Sequence, residues 1–522
     1  MNAWSLYFLA KVGLHFAGTL RLHWLPNLVF ALALLWPLPE GRARRVRAWL
    51  AWPVAIALLY QDSLLGSPDR LLGQIKGLAG FSAGYLFELL TRAVQPAWLL
   101  AAVLAFAAYA VLSRWLRFST LAVLAILSVP LSQLVQKPEH FGGTALAAAT
   151  GSPAAGSSAA TAAADSPDAL LSRFYAHEQQ RRLSFPAQGT PPFDLIVIHV
   201  CSLAWDDLDF VGQSQPAVLQ RFDLVFKQFN SAASYSGPAA IRVLHGNCGQ
   251  RNHTQMYDAT DPGCLTFPAL EKAGFKTEGL LNHDGHYDGF LQTVEQSGGL
   301  AGKMQPNAAA PAAMQSFDGS PVRDDGVLLS QWWKQRQTQG GAPVALYYNT
   351  ISLHDGNRVP GYSSRSSLDT YKPRVTKLLA DLDHFVSELE ASGRPVVLML
   401  VPEHGASLRG DKLQISGMRE IPGPRITLVP AAIKLIGLPH PGTGTATVVD
   451  KPVSYFDLYS LLSNLLADNP FAPGAKPLAQ RLDTMAGTDY VAENADMVVM
   501  RLPDGRYVMK SGETPWTDYD TR

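Results

Sequence analysis

VVLMLVPEHG, residues 396–405, runs six apolar residues into a proline, then sets Glu403 beside His404 ahead of a glycine. A short continuous apolar run is the pattern of a strand covered on both faces, as in a largely parallel sheet. FDLIVIHV (193–200), PVALYYNT (343–350) and RITLVPAAIKL (425–435) repeat it, and amphipathic segments such as YKPRVTKLLADLDHFVSELEASG (371–393) lie between. These patterns predict an α/β domain with a central mixed, largely parallel sheet over residues 191–522. Ligands of such sheets gather beyond the strand carboxyl ends, so the loops after these runs are where chemistry is expected.

Four of those loops carry candidate groups. The first strand runs into Cys201, a metal ligand or a small buried hydrophobe. SAASYSGPAAIRVL (231–244) places Tyr235 and Ser236 before Gly-Pro and an apolar helical pattern. Ser236 reads either as a helix cap or as a hydroxyl under helix amides that attract an anion. NTISLHDGNR (349–358) supplies His354 and Arg358, and the opening stretch supplies Glu403 and His404. Thiolate, carboxylate and imidazole are ligands that zinc accepts.

The rest of the chain bounds the function. Its 522 residues allow two or three domains, and 43 basic against 43 acidic residues give no net field to draw nucleic acid. Apolar runs at 24–38, 49–60, 96–115 and 119–135, with a further one near 5–20, alternate with arginine clusters at Arg42, Arg44, Arg45 and Arg47 and at Arg114 and Arg117. By the positive-inside rule this predicts a multi-pass α-helical membrane domain over residues 1–138, with about five helices and the remainder outside. Residues 139–190, rich in Ala, Gly, Ser and Pro, predict a flexible linker.

The order of Cys201, Tyr235-Ser236-Gly-Pro, His354 and Pro402-Glu403-His404-Gly405, with SYSGPAAIR, NHDGHYDGF and a closing RLPDGRYVMK hairpin, resembles the alkaline phosphatase superfamily. Within it the chain is most similar to the cellulose phosphoethanolamine transferases, the BcsG family. The resemblance implies an alkaline phosphatase/sulfatase-like periplasmic domain of a multi-pass bacterial inner-membrane protein. It implies one Zn2+ ion bound by Cys201, Ser236, Glu403 and His404, with Ser236 as nucleophile and Tyr235 and His354 beside the substrate. His283 and Arg358 are weaker substrate candidates. Phosphatidylethanolamine is the implied donor, cellulose the acceptor, and cellulose synthase subunits the partners. Alternatives are a phosphatase or sulfatase-like hydrolase with water as acceptor, or a membrane scaffold of a synthase complex. Cys248 and Cys264 are expected to form a disulfide, leaving Cys201 free as a ligand.

Overall fold

The computed structural model describes residues 4–17, 19–39, 41–63, 80–93, 96–135, 166–186, 189–362, 364, 366–438 and 446–520. The chain divides into two compact units, Met1–Leu71 with Leu89–Ser157, and Leu72–Glu88 with Ser158–Arg522.

The second unit is α/β. Its main sheet holds β1 (Asp194–Val200), β2 (Leu224–Phe226), β3 (Lys276–Leu281), β4 (Val344–Thr350), β5 (Val396–Leu400), β6 (Ala432–Ile436) and β7 (Thr447–Val449). Their spatial order is β7-β2-β6-β5-β1-β4-β3. All neighbours are parallel except β6, which runs antiparallel to both β5 and β2. The apolar runs form the centre because each residue there is buried whichever face it points to. Leu195 and Val197 enter the core on one face, and Ile196, Ile198 and Val200 enter the core on the other. Helix Tyr371–Ala391 covers the second face through Leu378, Leu382 and Phe385, while Leu458 and Leu462 of helix Tyr455–Ala467 cover the first. RITLVPAAIKL is not one strand. It splits into a helical turn Pro424–Thr427, a two-residue strand Leu428–Val429 and β6, because Pro430 has no N–H to continue a ladder. RLPDGRYVMK closes as expected, with Met497–Arg501 antiparallel to Tyr507–Ser511 in a separate four-stranded sheet.

The first unit holds helices Trp4–Phe16, Trp24–Leu35, Arg42–Asp62, Pro96–Leu112 and Phe118–Val135. They correspond to the apolar runs, but the expected multi-pass membrane domain is overturned. Among the described residues no helix is long and apolar enough to cross a membrane. A crossing takes roughly 20 consecutive apolar residues. Trp4–Phe16 has 13 and Trp24–Leu35 has 12. Arg42–Asp62 has 21, but the arginines read as a loop form its first turns and Asp62 ends it. Buried inside this unit, the Lys11 ammonium lies 2.5 Å from the Asp62 carboxylate and donates to Asn27.

Of the expected linker, residues 139–165 lie outside the described residues. From Ser166, whose hydroxyl caps Ala169 N–H, the chain forms helix Pro167–Glu178.

Cys248 and Cys264 form a disulfide and Cys201 is free and buried. Thiol titration of the unreduced protein in denaturant is expected to give one thiol per chain. Cys248→Ser should lower stability by about 3 kcal/mol, the entropy of a loop of this length, read from the urea midpoint.

Candidate metal centre and active site

Three neighbouring strands deliver the site. β1 ends at Val200 and leads into Cys201, whose N–H donates to Thr350 O at the end of β4. β5 ends at Leu400, yet the chain stays hydrogen-bonded to β1 until Glu403 N–H meets Val200 O. The chain then turns, so Glu403 and His404 face the same point instead of opposite faces. Cys201, Glu403 and His404 offer ligand atoms within 4.8 Å of one another, and these three are buried. They form a cluster that can hold a metal ion.

Ser236 joins them from a fourth element. It is the first residue of helix Ser236–Leu244, and Tyr235 in extended conformation is the N-cap, without a side-chain capping bond. The hydroxyl is therefore not consumed as a cap. It lies 3.3 Å from Cys201 Sγ and 3.4 Å from His404 Nε2, while Cys201 Sγ is 4.0 Å from the same nitrogen. Ser236 is half-buried, whereas Cys201, Glu403 and His404 are fully buried. Ser234 nearby is fully buried.

The electrostatics fit a cation. Burial, reinforced by the Glu403 carboxylate, pushes the Cys201 thiol up to about 12. Burial raises Glu403 to about 7 and holds His404 well below the ordinary imidazole value. Glu403 Oε1 accepts a 2.6 Å bond from Asn349 Nδ2, but Oε2, 3.7 Å from His404 Nε2, has no hydrogen-bond partner. His404 Nδ1 lies 2.9 Å from Gly405 O and 3.2 Å from Arg419 Nη1; in the tautomer with the proton on Nδ1, Nε2 is the lone-pair nitrogen facing the cluster. An unsatisfied carboxylate oxygen, a thiol and an unprotonated imidazole nitrogen converging in a dry pocket are the donor set of a borderline-soft divalent ion.

The surroundings hold these groups in place. Asp207 accepts from Ala406 N–H (2.6 Å), Leu408 N–H (3.1 Å) and Ala204 N–H (3.3 Å), pinning the Glu403–His404 loop to the loop after Cys201. Gly405 is required by this closeness, because a Cβ there would lie 2.6 Å from Asp207 Oδ2 and 2.7 Å from Ala204 Cβ. Ser202, next to Cys201, has φ +63, a left-handed conformation that a serine holds only when its surroundings impose it. Arg419 is buried with Nη1 3.2 Å from His404 Nδ1, and its guanidinium sits 5.3 Å from the Tyr235 ring. Tyr235 OH donates to Glu420 at 2.5 Å.

His354 is not a member of the cluster. Its Nδ1–H donates to Asp355 O, its ring lies 4.7 Å from Phe317, and burial with the neighbouring Arg419 charge holds it down at about 4. His283 is buried behind Glu403. It takes Gly285 N–H on Nδ1 and donates from Nε2 to Asn349 Oδ1 at 3.0 Å, so it orients the amide that holds Glu403. Arg358 is ion-paired with Glu88.

Residues 152–516 match the family described as the cellulose biosynthesis protein BcsG C-terminal domain, and residues 4–131 match the BcsG N-terminal domain. The cellulose biosynthesis protein BcsG of Salmonella typhimurium is 37% identical over 541 residues, covering 99% of this chain and 96% of that protein. The BcsG protein of Escherichia coli K12 shows the same identity and coverage. The chain belongs to the BcsG family. Among solved structures it is similar to an alkaline phosphatase superfamily protein from Vibrio parahaemolyticus (TM-score 0.47, 14% identity, 67% of this chain and 88% of that one). It is also similar to the zinc complex of the C-terminal periplasmic domain of EcEptC from Escherichia coli (TM-score 0.44, 13% identity, 65% and 96%).

Sequence reasoning missed Asn349, Asp207 and Arg419. Asn349 had a signal, an amide inside an otherwise apolar strand end. Asp207, in the short helix Trp205–Phe210, and Arg419, in a loop, had none.

Asp207→Ala would leave three buried N–H groups without an acceptor. It is expected to destabilise the domain by roughly 3 kcal/mol or more, visible as a lower urea midpoint at unchanged m-value.

Proposed function

We propose that this chain transfers phosphoethanolamine from phosphatidylethanolamine to glucose hydroxyls of cellulose, through an ester on Ser236, in the periplasm. The observation that carries the reading is the Ser236 hydroxyl. It is free of capping duty, belongs to a half-buried residue, and stands at the N-terminus of a nine-residue helix within 3.4 Å of both a buried thiol and an imidazole. The disulfide fits an oxidising compartment. Membership in a cellulose biosynthesis family supports the acceptor.

Cys201, Ser236, Glu403 and His404 would hold one zinc ion, and the orphaned Glu403 Oε2 is the feature of this chain that fits it. When bound, such an ion lowers the pKa of a coordinated hydroxyl by several units. The Ser236 oxygen attacks phosphorus, forming the Oγ–P bond as the bond from phosphorus to the diacylglycerol oxygen breaks. We assign the proton relay to His354, which is neutral at pH 7 with Nδ1–H engaged by Asp355 O: Nε2 would take the serine proton and return it to the leaving oxygen. In the second half a glucose hydroxyl attacks phosphorus, gives its proton to His354, and Ser236 leaves. The helix amides would face the charge that develops on the phosphoryl oxygens. Tyr235, stacked against Arg419, borders the substrate.

Incubated with phosphatidylethanolamine labelled in its head group, the protein is expected to carry the label on Ser236, and Ser236→Ala is expected to carry none. Mass mapping of the adduct checks this, and label on the variant would reassign the nucleophile. With cellooligosaccharide present the label should pass to the sugar. Steady release of free phosphoethanolamine without sugar would instead favour a hydrolase.

Dialysis against a chelator should abolish labelling and zinc should restore it. Asn349→Leu removes the donor that orients Glu403, and should weaken zinc binding by about 10- to 100-fold. Competition with a chromogenic chelator measures that loss.

A further inference from the structure

We infer that residues 80–88 form a wall of the active site and that Glu88 is a positioning residue for the His354 loop. The kinetic consequence rests on the transferase reading; the docking rests on geometry alone. These residues fold with the α/β unit although more than 100 residues separate them from β1. Four kinds of contact fix them. Ser82 N–H donates to Phe317 O at 2.9 Å. The Phe81 ring lies 5.7 Å from Tyr287 and 5.3 Å from Phe317. Tyr85 OH donates to Asp355 Oδ2 at 3.0 Å. The Glu88 carboxylate, 2% exposed, pairs with Arg358 and accepts from Ser367 N–H at 2.7 Å and Ser366 Oγ at 2.9 Å.

Apart from Tyr287, those partners belong to loops that also touch His354 or support it. Phe317 packs on the His354 ring. Ser367 N–H donates to Glu88 while the Ser367 hydroxyl donates to the Asp355 carboxylate, and Asp355 O receives the His354 Nδ1–H that fixes the tautomer. Gly356 admits the segment, because a Cβ there would lie 2.9 Å from the Tyr85 ring. A segment held only by packing would need apolar contact. Here a buried carboxylate also pairs with Arg358 and accepts from Ser366 and Ser367, in the stretch of chain that follows His354. Desolvating such a carboxylate is costly unless all these bonds form together, so the docked geometry is directional. The path Glu88, Ser367, Asp355, His354 transmits it to the imidazole.

The test uses the full chain with Glu88→Ala, Glu88→Gln, Ser367→Ala and the Glu88→Ala/Ser367→Ala double variant. Amide hydrogen exchange of residues 354–362 reads the docking. Turnover of an aryl phosphoethanolamine diester reads kcat and KM, with thermal midpoint and zinc content as controls. Glu88→Ala is expected to speed exchange in that loop and lower kcat about tenfold, with KM and zinc content unchanged. Glu88→Gln, which keeps an acceptor for Ser367 N–H, should recover part of kcat, and the double variant should be no worse than Glu88→Ala. Wild-type exchange and kcat in Glu88→Ala, or a loss confined to thermal midpoint, would overturn the inference; should Glu88→Ala fail to fold, Glu88→Gln decides by the same readings. A wild-type protein inert toward the diester would overturn the transferase reading alone, because exchange would still report on the docking.

Discussion

A carboxylate in a dry interior must be hydrogen-bonded, neutralised or paired with a cation, and Glu403 is the residue on which this constraint falls hardest. One of its oxygens is served by Asn349, which is itself held by His283. The other makes no hydrogen bond of normal geometry and lies among a thiol, a hydroxyl and an imidazole. Asp207, Gly405 and the left-handed Ser202 are all consequences of keeping that convergence tight. Each sits where the loop after Cys201 and the loop around His404 press together. Stability is spent on local geometry here, and the structure recovers it in the two apolar cores that sandwich the sheet.

Much of the folded domain was legible because burial on both faces leaves a strand no alternative but an unbroken apolar run. β1, β4 and β5 stand where such runs predicted them, and the candidate ligands follow β1 and β5 directly. That Cys201, Ser236, Glu403 and His404 come together was an expectation from resemblance, and the structure brings them within contact distance. Their supports were less legible for a physical reason. An Asp that accepts backbone N–H groups, or an Arg that lies beside an imidazole, is defined by which loops meet, and neither Asp207 nor Arg419 stands at a distinctive spacing in the chain.

The N-terminal unit was misread for a related reason. Apolar composition locates a helix and does not say where it stops, and no described helix is both long and apolar enough for a crossing. In the structure Phe8, Phe30 and Ile126 pack against one another, and the Lys11–Asp62 pair is buried among them. The arginines taken as a loop continue a helix because Arg has a good intrinsic helix propensity and nothing between Arg42 and Arg47 breaks the pattern.

The site also separates two demands that conflict in one location. Metal-ligating groups are best kept dry, where donor strength and geometry hold, whereas a nucleophile must reach its substrate. Placing Ser236 at the first turn of a helix resolves the conflict. Its hydroxyl touches the buried set while its backbone sits at the surface, and the helix amides behind it favour an incoming anion. His354 approaches from a different loop, tied through Asp355 and Ser367 to Glu88, so the proposed proton acceptor and the ligand cluster are anchored by separate hydrogen-bond networks. Arg419 is the group close to both, so substitutions at Glu88 and at Asn349, away from it, are the ones that should separate loss of turnover from loss of metal.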